Sequence, residues 1–160
     1  MTGEMHRAGA AVVGRLTEIA AWEASLILSL RFWMEGPEGQ AEVWNTFARG
    51  LGARDGRAEL RGFETLLGTL GSCARRPLVR HGLGCTCIGS DEAMVLTLVR
   101  EAAQGDLAEA AMIASLLVPA RHAEPVALMA AQVGQAMQRI AGHAPGPHHL
   151  PTDPENRTLH

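Results

Sequence analysis

Apolar residues recur at spacings of three and four along most of this chain, the signature of amphipathic helices. Val12, Leu16, Ile19, Ala20, Ile27, Leu30 and Trp33 predict a first helix over about residues 10–34, closed by Glu35-Gly36-Pro37. Glycine suits a helix C-terminus, and proline opens the helix that follows. Val43, Trp44, Phe47 and Leu51 predict a second helix over about 38–51. Leu60, Phe63, Leu67 and Leu70 predict a third over about 56–75, with Asp55 as its N-cap and Pro77 as its stop. Ser90 is the expected cap of a fourth helix, with Asp91 and Glu92 in the first turn, where the helix dipole favours acids. Its apolar side is Met94, Val95, Leu98 and Ala102.

Gly105 then breaks the chain, and Asp106 caps a fifth helix that ends before Pro119. Residues 110–118 are apolar all round, the pattern of a helix buried on most sides. Val126, Met129, Val133, Ala136, Met137 and Ile140 form the stripe of a sixth helix, expected to start near Pro125. No stretch alternates with period two for more than a few positions, so no strand is predicted. The fold class is therefore all-α: one compact domain of about six helices over residues 1–142, a bundle or an orthogonal packing. Residues 143–160, rich in Pro and His, read as a disordered tail.

Between the third and fourth helices the pattern fails. The stretch from Cys73 to Glu92 carries all three cysteines, three arginines, His81 and the glycines at 82, 84 and 89. Cys73, His81, Cys85 and Cys87 give C-x7-H-x3-C-x-C, and thiolates with an imidazole are what tetrahedral zinc takes as ligands. Neighbouring arginines favour thiolate over thiol, which serves metal binding and thiol reactivity alike. H-x3-C-x-C resembles the H-x3-C-x2-C signature of zinc-binding anti-sigma factors. It departs from that signature by one residue between the cysteines, so nothing of the family is carried over.

The plain alternative is that Cys73, on the apolar stripe of its helix, is a core thiol, and that Cys85 and Cys87 merely pack a tight loop. If the thiols switch redox state, Cys73 is the expected disulfide partner of Cys85 or Cys87. Arg75, Arg76 and Arg80 form a short basic run leading to a helix start, an arrangement that can hold an anion or a partner's carboxylates. No aromatic residue interleaves it to stack bases.

Composition narrows the classes. The net charge of −3 argues against nucleic acid and anionic membranes, whose binders carry a basic excess. All 14 basic residues are arginine, which excludes lysine chemistry and fits the codon usage of a high-GC bacterial genome. No secretion signal is expected, since residues 1–15 lack a continuous apolar core with a small-residue cleavage site, and the longest apolar run is far short of the roughly 20 residues that span a bilayer. Three cysteines are an odd number for a disulfide framework, and cytoplasm is the expected compartment.

The function expected from these residues is that of a small regulatory or interaction protein whose Cys/His loop is a structural or sensory site, for zinc or as thiols. A thiol- or metal-dependent enzyme centred on Cys85, Cys87 and His81 is the alternative. A nucleic-acid accessory factor using Arg75, Arg76 and Arg80 is a third. The first helix carries more apolar residues (Val13, Trp22, Leu26 and Phe32 among them) than one stripe hides. It is therefore the expected surface for a homodimer or a protein partner.

Overall fold

The protein is described by a computed structural model over residues 8–143. Six α-helices lie there: α1 (Ala21–Met34), α2 (Pro37–Leu51), α3 (Ala53–Cys73), α4 (Ser90–Ala103), α5 (Leu107–Leu117) and α6 (Ala120–His143). Two short strands, β1 (Val12–Arg15) and β2 (Cys87–Gly89), pair antiparallel. None of the described helices is long and apolar enough to cross a membrane.

The long α6 is the spine. It packs against all five other helices, and small residues let them come close. Gly134 faces α4 so tightly that an added Cβ would stand 2.6 Å from the Cβ of Ala103. The centre of the core is larger: Leu26, Ile27, Phe47, Phe63, Leu66, Leu98 and Met137 are fully or almost fully buried. Phe63 meets Phe47 at 5.7 Å between ring centroids and the edge of Trp33 at 5.8 Å. Tight turns join the first three helices, with Gly36 and Gly52 at φ 103° and 84°, a region that other residues rarely enter.

Several boundaries differ from the sequence expectation. The first helix begins at Ala21, not residue 10; the segment before it is β1 followed by a single 3-10 turn, Leu16–Glu18. Its apolar spacing fits a helix, but the adjacent β-branched Val12 and Val13 and then Gly14 favour extended backbone, and β2 supplies the missing hydrogen-bond partners. The expectation of no strand is corrected accordingly. The third helix starts at Ala53 and ends at Cys73, so Asp55 stands in its first turn and does not cap it.

The sixth helix starts at Ala120, with Pro125 inside it. There proline removes one backbone donor near the helix start, while Ala123, Val126 and Ala127 on either side are buried. Helix α5 is not buried on most sides: Ala110, Ala114 and Leu117 face the core, but Met112 and Leu116 are each 65% exposed. The expected tail falls on residues 144–160, outside the described residues; His143 closes α6.

The surplus apolar residues of the predicted first helix are placed differently. Leu26 is in the core, Trp22 and Phe32 are half-buried against it, and Val13 lies on β1, 58% exposed.

Candidate functional site

The loop between α3 and α4 is organised by a residue outside it. Arg31, near the end of α1, is completely buried. Its Nε and Nη2 donate to the two carboxylate oxygens of Glu92, at 2.7 and 2.9 Å. Its remaining N–H groups reach three loop carbonyls: Nη1 donates to Cys85 at 2.6 Å and Gly82 at 3.2 Å, and Nη2 to Cys87 at 2.6 Å. A guanidinium carries five donors in a fixed fork, so one side chain can pin a carboxylate and three carbonyls together.

Glu92 is the other half of this hub. It sits at the third position of α4 and also accepts from the backbone N–H of Gly89 (2.9 Å) and of His81 (3.2 Å). The first bond is the carboxylate half of a capping box. Burial pushes the Glu92 carboxyl upward, but the Arg31 guanidinium and the two backbone donors outweigh it and hold the group below the usual carboxylate range. Asp91 repeats the device one residue earlier. Arg76 binds it through both nitrogens at 2.6 and 2.8 Å, and the Val79 N–H donates to it at 2.8 Å. The Arg76 guanidinium is correspondingly held above its ordinary value, first by its hydrogen bonds to Asp91.

An N-terminal strap covers the loop. β1 pairs with β2 in the register Val12–Gly89, Gly14–Ile88 and Arg15–Cys87, and Leu16 N–H donates to Thr86. The Ser90 hydroxyl donates to the Ala8 carbonyl at 2.6 Å. His81 lies between strap and loop, its Nε2 2.9 Å from the Ala10 carbonyl. Gly89 permits this, because a Cβ there would stand 2.8 Å from the imidazole ring.

That contact fixes the ring's chemistry. A carbonyl oxygen only accepts, so His81 Nε2 carries a proton. Nδ1, 3.7 Å from Cys85 Sγ, is then the nitrogen that accepts from the thiol when the ring is neutral. It donates to the sulfur when thiolate and imidazolium form. Thiol, base and an orienting acceptor thus stand in a row: Cys85, His81, Ala10 carbonyl.

The structure brings together His81 and Cys85 of the four residues the sequence proposed as zinc ligands. Cys73 is half-buried at the end of α3, its Sγ 3.5 Å from the Ser72 hydroxyl, and it packs against the core. Cys87 is half-buried on β2, and all three cysteines are free thiols. Among the described residues no three of His, Cys, Asp and Glu stand close enough to share an ion.

The basic run is occupied from within. Arg75 donates to the carbonyls of Ser115, through Nε at 3.1 Å, and Leu117, through its backbone at 2.8 Å. Arg76 holds Asp91, and Arg80 pairs with Glu35 at 2.9 Å.

Sequence reasoning missed Arg31. Its own signal is slight: an arginine one turn after Ile27 and next to Leu30, on the apolar side of its helix, with nothing near it in sequence to name Glu92 as its partner. Comparison with protein-family models, curated proteins and solved structures finds no match to this chain.

Proposed function

We propose that this chain is a small regulatory protein whose loop is a thiol sensor, with Cys85 as the reacting thiol and His81 as its base. The approach of His81 Nδ1 to Cys85 Sγ, with Nε2 committed to the Ala10 carbonyl, is the observation that carries the reading. The thiolate is the reactive form of cysteine. A nucleophile beside a base that a third group orients is the usual arrangement of an activated side chain. When a soft electrophile forms an S–C bond at Cys85, the thiol proton passes to Nδ1 and the electrophile's leaving group departs with its electron pair. The ring then carries a positive charge and has lost the sulfur as its partner, at the point where it grips the strap. The strap is the reporter: β1 is held by its pairing with β2, and residues 8–10 ahead of it by the Ser90 hydroxyl and the His81 ring.

Alkylation by iodoacetamide of the folded full chain, with each site followed by mass spectrometry, tests this. Cys85 is expected to react ahead of Cys73 and Cys87. His81→Gln is expected to slow Cys85 by at least about 10-fold, less than the roughly 100- to 10,000-fold a positioned base contributes elsewhere because a thiol is already a good nucleophile, and to leave Cys73 unchanged. Modification of Cys73 or Cys87 first, or a Cys85 rate indifferent to His81, would overturn the proposal.

A further inference from the structure

A cleft of about 430 Å³ opens on the other side of the same loop, between α1, α3 and the start of α4. Its apolar wall is Leu30, Trp33, Leu67, Leu70, Leu78 and Val95. Its volume is within the range of small-molecule sites, which are apolar with a few charged groups placed among the hydrocarbon.

The charges decide what kind of molecule fits. Four ionisable side chains line the cleft: Glu64, Arg80, Asp91 and Glu92. Asp91 and Glu92 are neutralised by Arg76 and Arg31, and Arg80 is paired with Glu35. Glu64 alone has no hydrogen bond or ion pair among the described residues, and it is exposed on the α3 side. The uncompensated charge of the lining is therefore one carboxylate.

We infer that this cleft binds a small amphipathic cation: an apolar or aromatic body seated against Leu67, Leu70 and Trp33, with an ammonium group near Glu64. The inference is independent of the thiol reading, since no cysteine lines the cleft.

Gly68 makes it testable without disturbing the fold. It lies on α3 in the cleft wall, and a Cβ there would meet nothing within 4 Å. Gly68→Leu therefore fills the space while improving helix propensity. Calorimetric titration of the full chain would use 4-phenylbutyltrimethylammonium and 5-phenylpentanoate, two probes of similar body and opposite charge. The ammonium is expected to bind saturably at one site, at least about 10-fold tighter than the carboxylate. Glu64→Gln should weaken it by about 5-fold, the factor a partly exposed ion pair supplies, and Gly68→Leu should abolish binding with the circular dichroism spectrum unchanged. Tighter binding of the carboxylate would overturn the proposal by making Arg80 the anchor. So would an ammonium affinity unmoved by Glu64→Gln, or no saturable binding of the ammonium.

Discussion

Replacing Arg31 by methionine tests the organisation of the loop most directly. The side chain is wholly buried and makes five hydrogen bonds, two to Glu92 and three to the carbonyls of Gly82, Cys85 and Cys87. Methionine keeps the apolar stem and removes every donor. Glu92 would retain only the N–H groups of Gly89 and His81, and would stay 4% exposed with its charge unpaired. Removing one partner of a buried pair costs about 3–5 kcal/mol because the other charge is stranded. A loss of about 3–5 kcal/mol is therefore expected, a large part of the roughly 5–15 kcal/mol that holds a domain together.

Urea unfolding followed by tryptophan fluorescence measures the loss. The midpoint should fall while the denaturant slope is kept, since the exposed surface of the unfolded chain hardly changes. Arg31→Lys should lose most of the same amount, because one ammonium cannot span a carboxylate and three carbonyls. A loss under about 1 kcal/mol for Arg31→Met would refute the hub and show that the loop is held from elsewhere.

The Glu92 carboxyl is held below its usual range when folded, so its contribution is full above the unfolded value near 4.3 and disappears as pH falls through the lower folded one. Urea midpoints measured from pH 6 down to pH 3 should fall in acid, and the fall should be shallower in Glu92→Gln. Gly134→Val should destabilise by at least about 1–3 kcal/mol in thermal denaturation, since its Cβ alone would press on Ala103 and Val99. Asp106→Ala should cost about 1 kcal/mol by releasing the Glu109 N–H that Asp106 accepts at 3.0 Å. In native mass spectrometry, a tail-deleted chain purified without chelator should have the bare-chain mass with three alkylatable thiols; a mass one zinc heavier would restore the four-ligand site.

The helical architecture was legible because burial follows the 3.6-residue period through α2, α3, α4 and α6. Two kinds of information were not. One is strand pairing: residues 10–19 carry a spacing compatible with a helix, and the weak local preference of Val12, Val13 and Gly14 for extended backbone takes effect through pairing with the distant Cys87–Gly89 segment. The other is which charges go inside. Asp91 and Glu92 read locally as dipole-matched acids at a helix start, and they do stand there. Nothing in their neighbourhood tells that they are 1% and 4% exposed, met by Arg76 and by an arginine 61 residues earlier. The cysteines drew attention first because cysteine chemistry is recognised by spacing, whereas the residue that shapes their loop is a single arginine among apolar neighbours.

Placing the two acids at the start of α4 ties the loop's conformation to the helix itself. A capping carboxylate normally satisfies one N–H at the helix end; Glu92 does so for Gly89 and then spends its remaining acceptor capacity on His81 N–H and Arg31. The backbone of the proposed base is thus fixed by the same carboxylate that starts the helix, while its ring is fixed by the strap. Displacement of the His81 ring from Ala10 would loosen the strap without breaking the cap, because the backbone bond to Glu92 does not involve the imidazole. Loss of the Glu92 charge would do the reverse, weakening its bonds to the His81 and Gly89 N–H groups and its hold on Arg31, the side chain that gathers the loop carbonyls. Chemistry at Cys85 and protonation of Glu92 therefore act on different contacts of one histidine. The first should expose residues 10–16 to hydrogen exchange and the second residues 81–89. Exchange of both segments to the same extent under either perturbation would mean that strap and loop open as one unit.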